Sequence, residues 1–183
     1  CVDAGIHCLI HSSWLAEDES ELFDYSPDYA DMIAEKGIFV DPTLALGRLN
    51  ELRSADGKVP PAGAFALTER RFEILRDMWD RGVKFVTGMD SGMTNANFDD
   101  FAYIPEVMVQ DMGITPMEAI LSATQVSADC LGLLEEIGTL EEGKAADVLI
   151  INGNPAEDIK TLHDVNTIVK GGELIKQENQ LLI

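Results

Sequence analysis

The chain is poor in basic residues. Lys and Arg number 13 against 33 Asp and Glu, which gives 183 residues a formal net charge of −20 at pH 7. A surface of this sign repels phosphate backbones and anionic lipid over about 10 Å at moderate salt. We therefore expect no nucleic-acid partner and no membrane partner. The charge bears on solubility more than on a binding site, so it does not select a cationic substrate.

Cysteines and long apolar runs are also scarce. The three cysteines, Cys1, Cys8 and Cys130, have no paired C-x-x-C spacing, which argues against a disulfide framework and a structural zinc knuckle. No run of about 18 uncharged apolar residues occurs. The first residues also lack the basic and apolar regions of a signal peptide. We expect a soluble, cytoplasmic protein with reduced thiols.

Strand and helix signals alternate along the first two thirds of the chain. Hydrophobic residues make up 46% of the sequence, enough for a folded core. Short apolar runs predict strands over 6–11, 38–42 and 83–87. Helix caps and apolar spacing predict helices over 26–37 and 67–82. This alternation predicts a parallel sheet with helical crossovers, either doubly wound or a barrel.

Two segments depart from this alternation: the stretch between the second predicted strand and the second predicted helix, and the C-terminal end of the chain. Residues 44–64 are rich in Gly, Pro and charge and predict a long loop, a type that often forms a lid. Near the C-terminus, residues 146–153 predict a strand, and two alternating runs around 171–172 predict a hairpin. We expect one domain over 1–134 and a second over 135–183.

The clearest helix signal begins at Thr115. Thr115 and Glu118 have the T-x-x-E spacing of a capping box, and Pro116 suits the first helical position. Gly132 is a suitable residue to end this helix. No helix is predicted between residue 88 and Thr115.

Two polar residues each follow a predicted strand. His11 ends the first strand, and Asp90 lies in "GMDSG" after the third. Singly, such a histidine is more often structural and such an aspartate more often a turn residue. Because the carboxyl ends of parallel strands meet at one edge, we expect His11 and Asp90 to lie together.

Three chemistries could use these residues. A serine nucleophile, which would be Ser12, Ser13 or Ser91, is one, but "GMDSG" is one position away from the G-x-S-x-G elbow. A metal site is another, because imidazole nitrogen and carboxylate oxygen both bind zinc and related ions. In the third, Asp90 acts as a base without a metal.

The metal hypothesis lacks ligands, because a catalytic zinc takes about three from the protein. His7 is separated from His11 by roughly 13 Å of extended chain, and His163 lies in the β-rich tail. The sequence therefore supplies a partial site.

Several segments in order resemble a known family. They are "AGIHCLIH", "FVDPTL", "GVKFVTGMDSG", "MGITPMEAILSATQVSADCLGL", "IGTLEEGKAADVLIINGNPAEDI" and "VKGGELI". Together they resemble the C-terminal half of the amidohydrolase superfamily, in the branch of imidazolonepropionase-like enzymes and metal-dependent Xaa-Pro or Xaa-Arg/Lys dipeptidases. The combination of the strand-ending Asp, the T-P-x-E-A-I helix and the G-K-x-A-D strand is its most specific part.

The resemblance implies a fold and a metal. The fold is α/β: the C-terminal part of a metal-dependent (β/α)8 TIM barrel, about three strand–helix units, with part of a small β-sandwich domain. His11 matches the ligand histidine that ends the sixth barrel strand, and Asp90 the aspartate that ends the eighth. The implied cofactor is a divalent metal, with zinc preferred. Ile10 is a departure, since many relatives have Glu before this histidine.

The resemblance also implies a missing portion. The family's other metal ligands would precede Cys1, and the sequence opens without Met. We expect a piece of a longer protein that is inactive by itself and holds a metal poorly. Its open sheet should associate as a homo-oligomer or with a missing N-terminal half.

The function implied for the intact protein is hydrolysis of amide, peptide or cyclic amide C–N bonds by metal-activated water. Asp90 is expected to ligate the metal and act as the catalytic base. Weak candidates for contact with a small amide or dipeptide substrate are Ser91, Met93 and Asn95. The alternative is a non-catalytic half-barrel that self-associates, in which His11 and Asp90 are structural.

Overall fold

A three-stranded parallel sheet forms the centre of the first part of the chain. The computed structural model describes residues 1–17, 23–53, 69–92, 95–178 and 180–182. Strands β1 (Cys8–Ile10), β2 (Phe39–Asp41) and β3 (Lys84–Phe85) lie in that order. Both neighbouring pairs are parallel, which confirms the predicted strands and their relative direction.

Helices α1 (Pro27–Glu35) and α3 (Glu69–Asp80) connect these strands, as predicted. Their apolar faces pack in one cluster with the strands, and the largest fully buried side chains include Ile33, Val40, Leu49, Ile74, Leu75, Met78, Phe85, Val107 and Met108. No helix in the described ranges is both long and apolar enough to cross a bilayer.

Part of the predicted 44–64 loop is a helix, so that prediction was wrong for these residues. Helix α2 (Ala45–Arg53) buries Leu46 and Leu49 despite its weakly patterned sequence. Packing on the core overrides the unfavourable Gly47 within the helix, because tertiary contacts outweigh local propensity. The remainder, 54–64, lies outside the described residues.

A second helix was not predicted. Helix α4 (Tyr103–Gln110) lies within the stretch treated as the approach to Thr115. Pro105 obscures its pattern, but the first turn of a helix tolerates proline because its N–H has no intrahelical partner. Ile104, Val107 and Met108 are buried, and this burial stabilises the helix.

The predicted capping box is confirmed at α5 (Pro116–Leu121). The Thr115 hydroxyl accepts from the Glu118 backbone, and the Glu118 carboxylate accepts from the Thr115 N–H at 3.0 Å. The chain continues through a π-helical turn, Ser122–Val126, into α6 (Ser127–Cys130). Gly132 follows with φ 70, consistent with its predicted role as the helix end.

A separate antiparallel sheet contains the C-terminal strands. Its order is β4 (Val148–Ile151), β5 (Val165–Lys170), β6 (Glu173–Gln177) and β7 (Gln180–Leu181). The predicted strand and hairpin are confirmed, whereas β7 was not predicted. The two-domain division at 134/135 stays a prediction.

Candidate active site

His11 lies directly after β1, at the carboxyl edge of the parallel sheet. Its backbone N–H donates to the Asp41 carbonyl at 2.7 Å, which extends the pairing of β1 with β2. Its ring Nδ1 lies 2.9 Å from the Thr43 hydroxyl oxygen. The half-buried imidazole is therefore oriented by the residue that follows the neighbouring strand.

Asp90 follows β3 at the same edge and is exposed. Its backbone has φ 54, a left-handed conformation that Asp adopts more readily than most residues. Gly92 has φ 100, and its N–H donates to the Ala96 carbonyl at 2.9 Å. The turn thus bends at Asp90 and Gly92.

A third residue at this edge, Asp41, was not identified as a site residue from the sequence. It ends β2 and is 9% exposed. Its Oδ1 accepts from the Thr43 N–H at 3.0 Å, and the Gly88 backbone also hydrogen-bonds its carboxylate. The available signal was its position, because "FVDP" ends a predicted strand in an acid as "GMDSG" does.

Opposing effects act on the Asp41 carboxyl. Burial raises the pKa of its carboxyl, while hydrogen bonds from Thr43 and Gly88 act in the opposite direction. The neighbouring charges also oppose each other, since His11 lowers this pKa and Asp90 raises it. The edge is therefore electrostatically coupled across all three strands.

The predicted pair supplies two kinds of metal donor. An imidazole and a carboxylate suit zinc and similar divalent ions. Across the described ranges, no group of three His, Cys, Asp or Glu side chains is arranged to hold a metal. His11 and Asp90 therefore fit a metal by chemistry and provide a partial ligand set, and their role stays a prediction.

The other two histidines contact different parts of the fold. His7 Nε2 lies 2.7 Å from the Cys130 carbonyl, beside the end of α6. His163 Nε2 lies 2.7 Å from Glu106 Oε2, between α4 and the segment before β5. Each of these rings thus has an assigned structural contact.

The serines considered as nucleophiles make backbone contacts. Ser12 Oγ donates to the Leu9 carbonyl at 3.3 Å, and Ser13 Oγ to the His11 carbonyl at 3.1 Å. Ser91 Oγ donates to the Asn97 carbonyl at 3.5 Å. These contacts account for the hydroxyls as turn-stabilising groups.

The weak substrate-contact candidates lie in the loop after Asp90. Ser91 is half-buried there. The Asn95 amide donates to Asn50 Oδ1 at 2.8 Å, which ties this loop to α2. Met93 lies outside the described residues, so its predicted role has no structural counterpart.

Comparison with known proteins decides the family. The profile of the amidohydrolase family matches residues 5–175. The chain belongs to the amidohydrolase family. The resemblance inferred from the strand-ending residues and the capped helix is therefore confirmed.

Individual amidohydrolase relatives are similar over most of the chain. Imidazolonepropionase of Geobacillus kaustophilus is 30% identical over 162 residues, 84% of this chain and 38% of that protein. Ochratoxinase of Aspergillus niger is 28% identical over 181 residues, 96% of this chain and 35% of that protein. This amidohydrolase chain thus spans less than half the length of these relatives.

The fold agrees with these matches. A crystal structure of a Xaa-Pro dipeptidase with bound methionine in its active site aligns with a TM-score of 0.73 and 28% identity. The alignment covers 96% of this chain and 41% of the dipeptidase. The mixed α/β architecture with a parallel sheet is that of the amidohydrolases.

Proposed function

We propose that this chain is part of a metal-dependent hydrolase that cleaves C–N bonds in small amides, dipeptides or cyclic amides. The observation that carries the proposal is that β1 and β3 bring His11 and Asp90 to one sheet edge in a member of the amidohydrolase family. Imidazolonepropionase and Xaa-Pro dipeptidase are among the similar proteins, and they support this bond class.

We further propose that the parallel sheet is one section of a (β/α)8 barrel and that the antiparallel sheet is part of a β-sandwich, with the division at 134/135. The parallel direction of β1, β2 and β3 supports the barrel, as does the dipeptidase alignment. Ile10, in β1, is 63% exposed, an apolar surface that further strands or a second copy of the chain would cover.

His11 and Asp90 are the residues that would hold the metal, and zinc suits this donor pair. The Thr43 hydroxyl fixes the orientation of the His11 ring, as outer partners commonly do for metal-binding histidines. When bound, a divalent ion supplies Lewis acidity that makes water nucleophilic near neutral pH.

Asp90 carries the proton in the proposed reaction. Its exposed carboxylate takes a proton from the attacking water as the new C–O bond forms at the carbonyl carbon. It then delivers that proton to the leaving nitrogen as the C–N bond breaks, so the carboxylate is regenerated. Ser91 and Asn95 in the following loop, with Met93, are proposed to contact the substrate.

The test is Asp90→Asn in the protein expressed from the complete gene. Amide hydrolysis should fall by about 10²–10⁴-fold, the usual contribution of a general base. Asp99→Asn is the matched control, because Asp99 is an exposed acid in the same loop. Turnover by Asp90→Asn within a fewfold of the control would remove Asp90 from the mechanism.

The alternative is a non-catalytic, self-associating half-barrel, and the exposed Ile10 side chain favours it. Metal analysis separates the two functions. A hydrolase from the complete gene should contain about one or two divalent ions per chain and lose activity on chelation. A scaffold should keep its assembly after chelation and contain no stoichiometric metal.

A further inference from the structure

We propose that Asp41 is a positioning residue that sets His11 and Asp90 relative to each other, and that Gly88 is glycine in order to admit the Asp41 carboxylate. This inference rests on the proposed function, since it concerns the geometry of the same pair. Asp41 occupies the middle strand, between the strands that carry the two residues. It is the one of the three that is buried.

Asp41 reaches His11 by two routes. Its main-chain carbonyl accepts from the His11 N–H at 2.7 Å, which fixes the backbone of that residue. Its Oδ1 accepts from the Thr43 N–H at 3.0 Å, and the Thr43 hydroxyl lies 2.9 Å from His11 Nδ1. Main chain and side chain of Asp41 thus both determine where the imidazole lies.

Thr43 has a backbone that requires support. Its φ is 46, a region that β-branched residues rarely adopt. Thr43 is also 2% exposed. The bond from its N–H to Asp41 Oδ1 stabilises this turn, so loss of the carboxylate should move the hydroxyl that holds His11.

Asp41 reaches Asp90 through Gly88. A Cβ added at Gly88 would lie 1.7 Å from Asp41 Oδ2 and 2.7 Å from Asp41 Cγ. Gly88 does not have a positive φ, so its backbone conformation does not require glycine. The close approach of the Asp41 carboxylate does require glycine, and it places that carboxylate against the backbone two residues before Asp90.

The same contacts argue against Asp41 as a metal ligand. A buried carboxylate that accepts from Thr43 and Gly88 is directed into the backbone of the sheet edge. Asp90 presents an exposed carboxylate at that edge. We assign Asp41 to alignment and leave ligation to His11 and Asp90.

The first test observes the His11 ring directly in the 183-residue chain without metal. The chain has 3 histidines, so long-range ¹H–¹⁵N spectra of the imidazoles are readily assigned with single His→Gln variants. Asp41→Asn keeps the side-chain size but replaces an acceptor oxygen by a donor NH₂ facing backbone N–H groups. His11 resonances should shift, whereas those of His7 and His163 should not.

Addition of Zn²⁺ to the same samples gives a second readout. The His11 response in Asp41→Asn should require about 10–100-fold more Zn²⁺ than in wild type, the usual effect of changing a partner behind a metal ligand. A folded Asp41→Asn variant with wild-type His11 resonances would overturn the proposal. Asp41 would then have a structural role alone.

The second test uses suppression between Gly88 and Asp41. Gly88→Ala should lower Tm and shift the His11 resonances, because the new methyl group collides with the carboxylate. Adding Asp41→Ala to Gly88→Ala should raise Tm above that of Gly88→Ala, since it removes the colliding group. Equal or lower Tm in the double variant would refute the claim that space for Asp41 selects glycine.

Gly138→Ala is the control for destabilisation elsewhere in the fold. Its added Cβ would lie 2.6 Å from Ala128 Cβ in α6, and its φ of 93 is itself strained for alanine. It should lower Tm without shifting His11, and Asp41→Ala should not suppress it. The Tm and metal-free His11 readouts test the positioning role even if the wild-type 183-residue chain does not respond to Zn²⁺. If the complete protein also failed to respond to Zn²⁺, that result would count against the proposed function itself.

Discussion

Arg53 and Asp100 form a two-pronged ion pair between the end of α2 and the loop that follows Asp90. Arg53 Nη1 lies 2.5 Å from Asp100 Oδ2, and Nη2 lies 2.6 Å from Oδ1. The same carboxylate accepts from the Asn97 N–H at 2.7 Å, and Arg53 also donates to the Asn95 carbonyl at 2.9 Å. This pair therefore fixes the loop proposed to contact substrate.

Asp100→Asn should lower the free energy of unfolding at pH 7 by about 1–3 kcal/mol, because it weakens charge-assisted bonds to a buried side chain. Arg53 holds the pKa of the Asp100 carboxyl below its usual range. The ionised form therefore stabilises the fold above pH about 4, and this contribution is lost as pH falls further. Urea unfolding at pH 7 and at pH 3 measures it.

The comparison variant is Asp99→Asn, which changes the exposed acid directly before Asp100 in the sequence. Its free energy of unfolding in urea should lie within about 0.5 kcal/mol of the wild-type value. If Asp100→Asn changed the free energy of unfolding as little as Asp99→Asn, the Arg53–Asp100 ion pair would contribute nothing to the stability of the fold.

The cysteines should differ in reactivity. Burial, together with the adjacent Cys130, raises the pKa of the Cys8 thiol to about 12, and burial also raises the pKa of Cys130. Cys1 is exposed. Since the thiolate is the nucleophile, iodoacetamide at pH 8 should modify Cys1 more than about tenfold faster than the other two. Peptide mass spectrometry after timed quenching measures this order.

Unfolding in urea supplies the control, because all three thiols should then react at similar rates.

The raised pKa of the Cys8 thiol also predicts a loss of stability at alkaline pH. The unfolded Cys8 thiol ionises near pH 8.5 and the folded one only near 12, so the free energy of unfolding should fall as pH rises between these values. Cys8→Ala should flatten that decline; an unchanged slope would contradict the assignment.

The capping box before α5 should be measurable as stability. Thr115→Ala removes the side chain that accepts from the Glu118 N–H and should cost about 1 kcal/mol. Thr115→Ser retains the hydroxyl and should restore most of that loss. The Thr115 hydroxyl and N–H hold the pKa of the Glu118 carboxyl below its usual range, so the Thr115→Ala penalty should shrink as pH falls below about 4. Equal stability of the Ala and Ser variants would exclude a capping role.

The His163–Glu106 contact should couple α4 to the segment before β5. Glu106 Oε2 lies 2.7 Å from His163 Nε2. The Tyr103 ring packs edge-on against the His163 ring, with the two ring centroids 4.5 Å apart. A double-mutant cycle with His163→Gln and Glu106→Gln should give a coupling of about 0.5–1 kcal/mol in thermal or urea unfolding. Additive single effects would show that the two parts are held by other contacts.

Local signals predicted most of the secondary structure because their causes lie within a few residues. Ser26 occupies the N-cap of α1 without a side-chain capping bond, and Pro27 takes the first helical position that suits proline. Thr115 and Glu118 satisfy each other's backbone across one turn. Helices α2 and α4 were missed because their stability comes from burial against distant residues. Their own sequences carry Gly47 and Pro105, which weaken the local pattern.

The sequence alone determined the three parallel strands, the capped helix, the C-terminal hairpin and the amidohydrolase family. It also placed His11 and Asp90 at strand ends, because parallel strands share one carboxyl edge. Only the tertiary structure decided the role available to Asp41. Its contact with Gly88 joins residues far apart in the chain, and a close approach between a carboxylate and a backbone leaves no periodic signal in either segment.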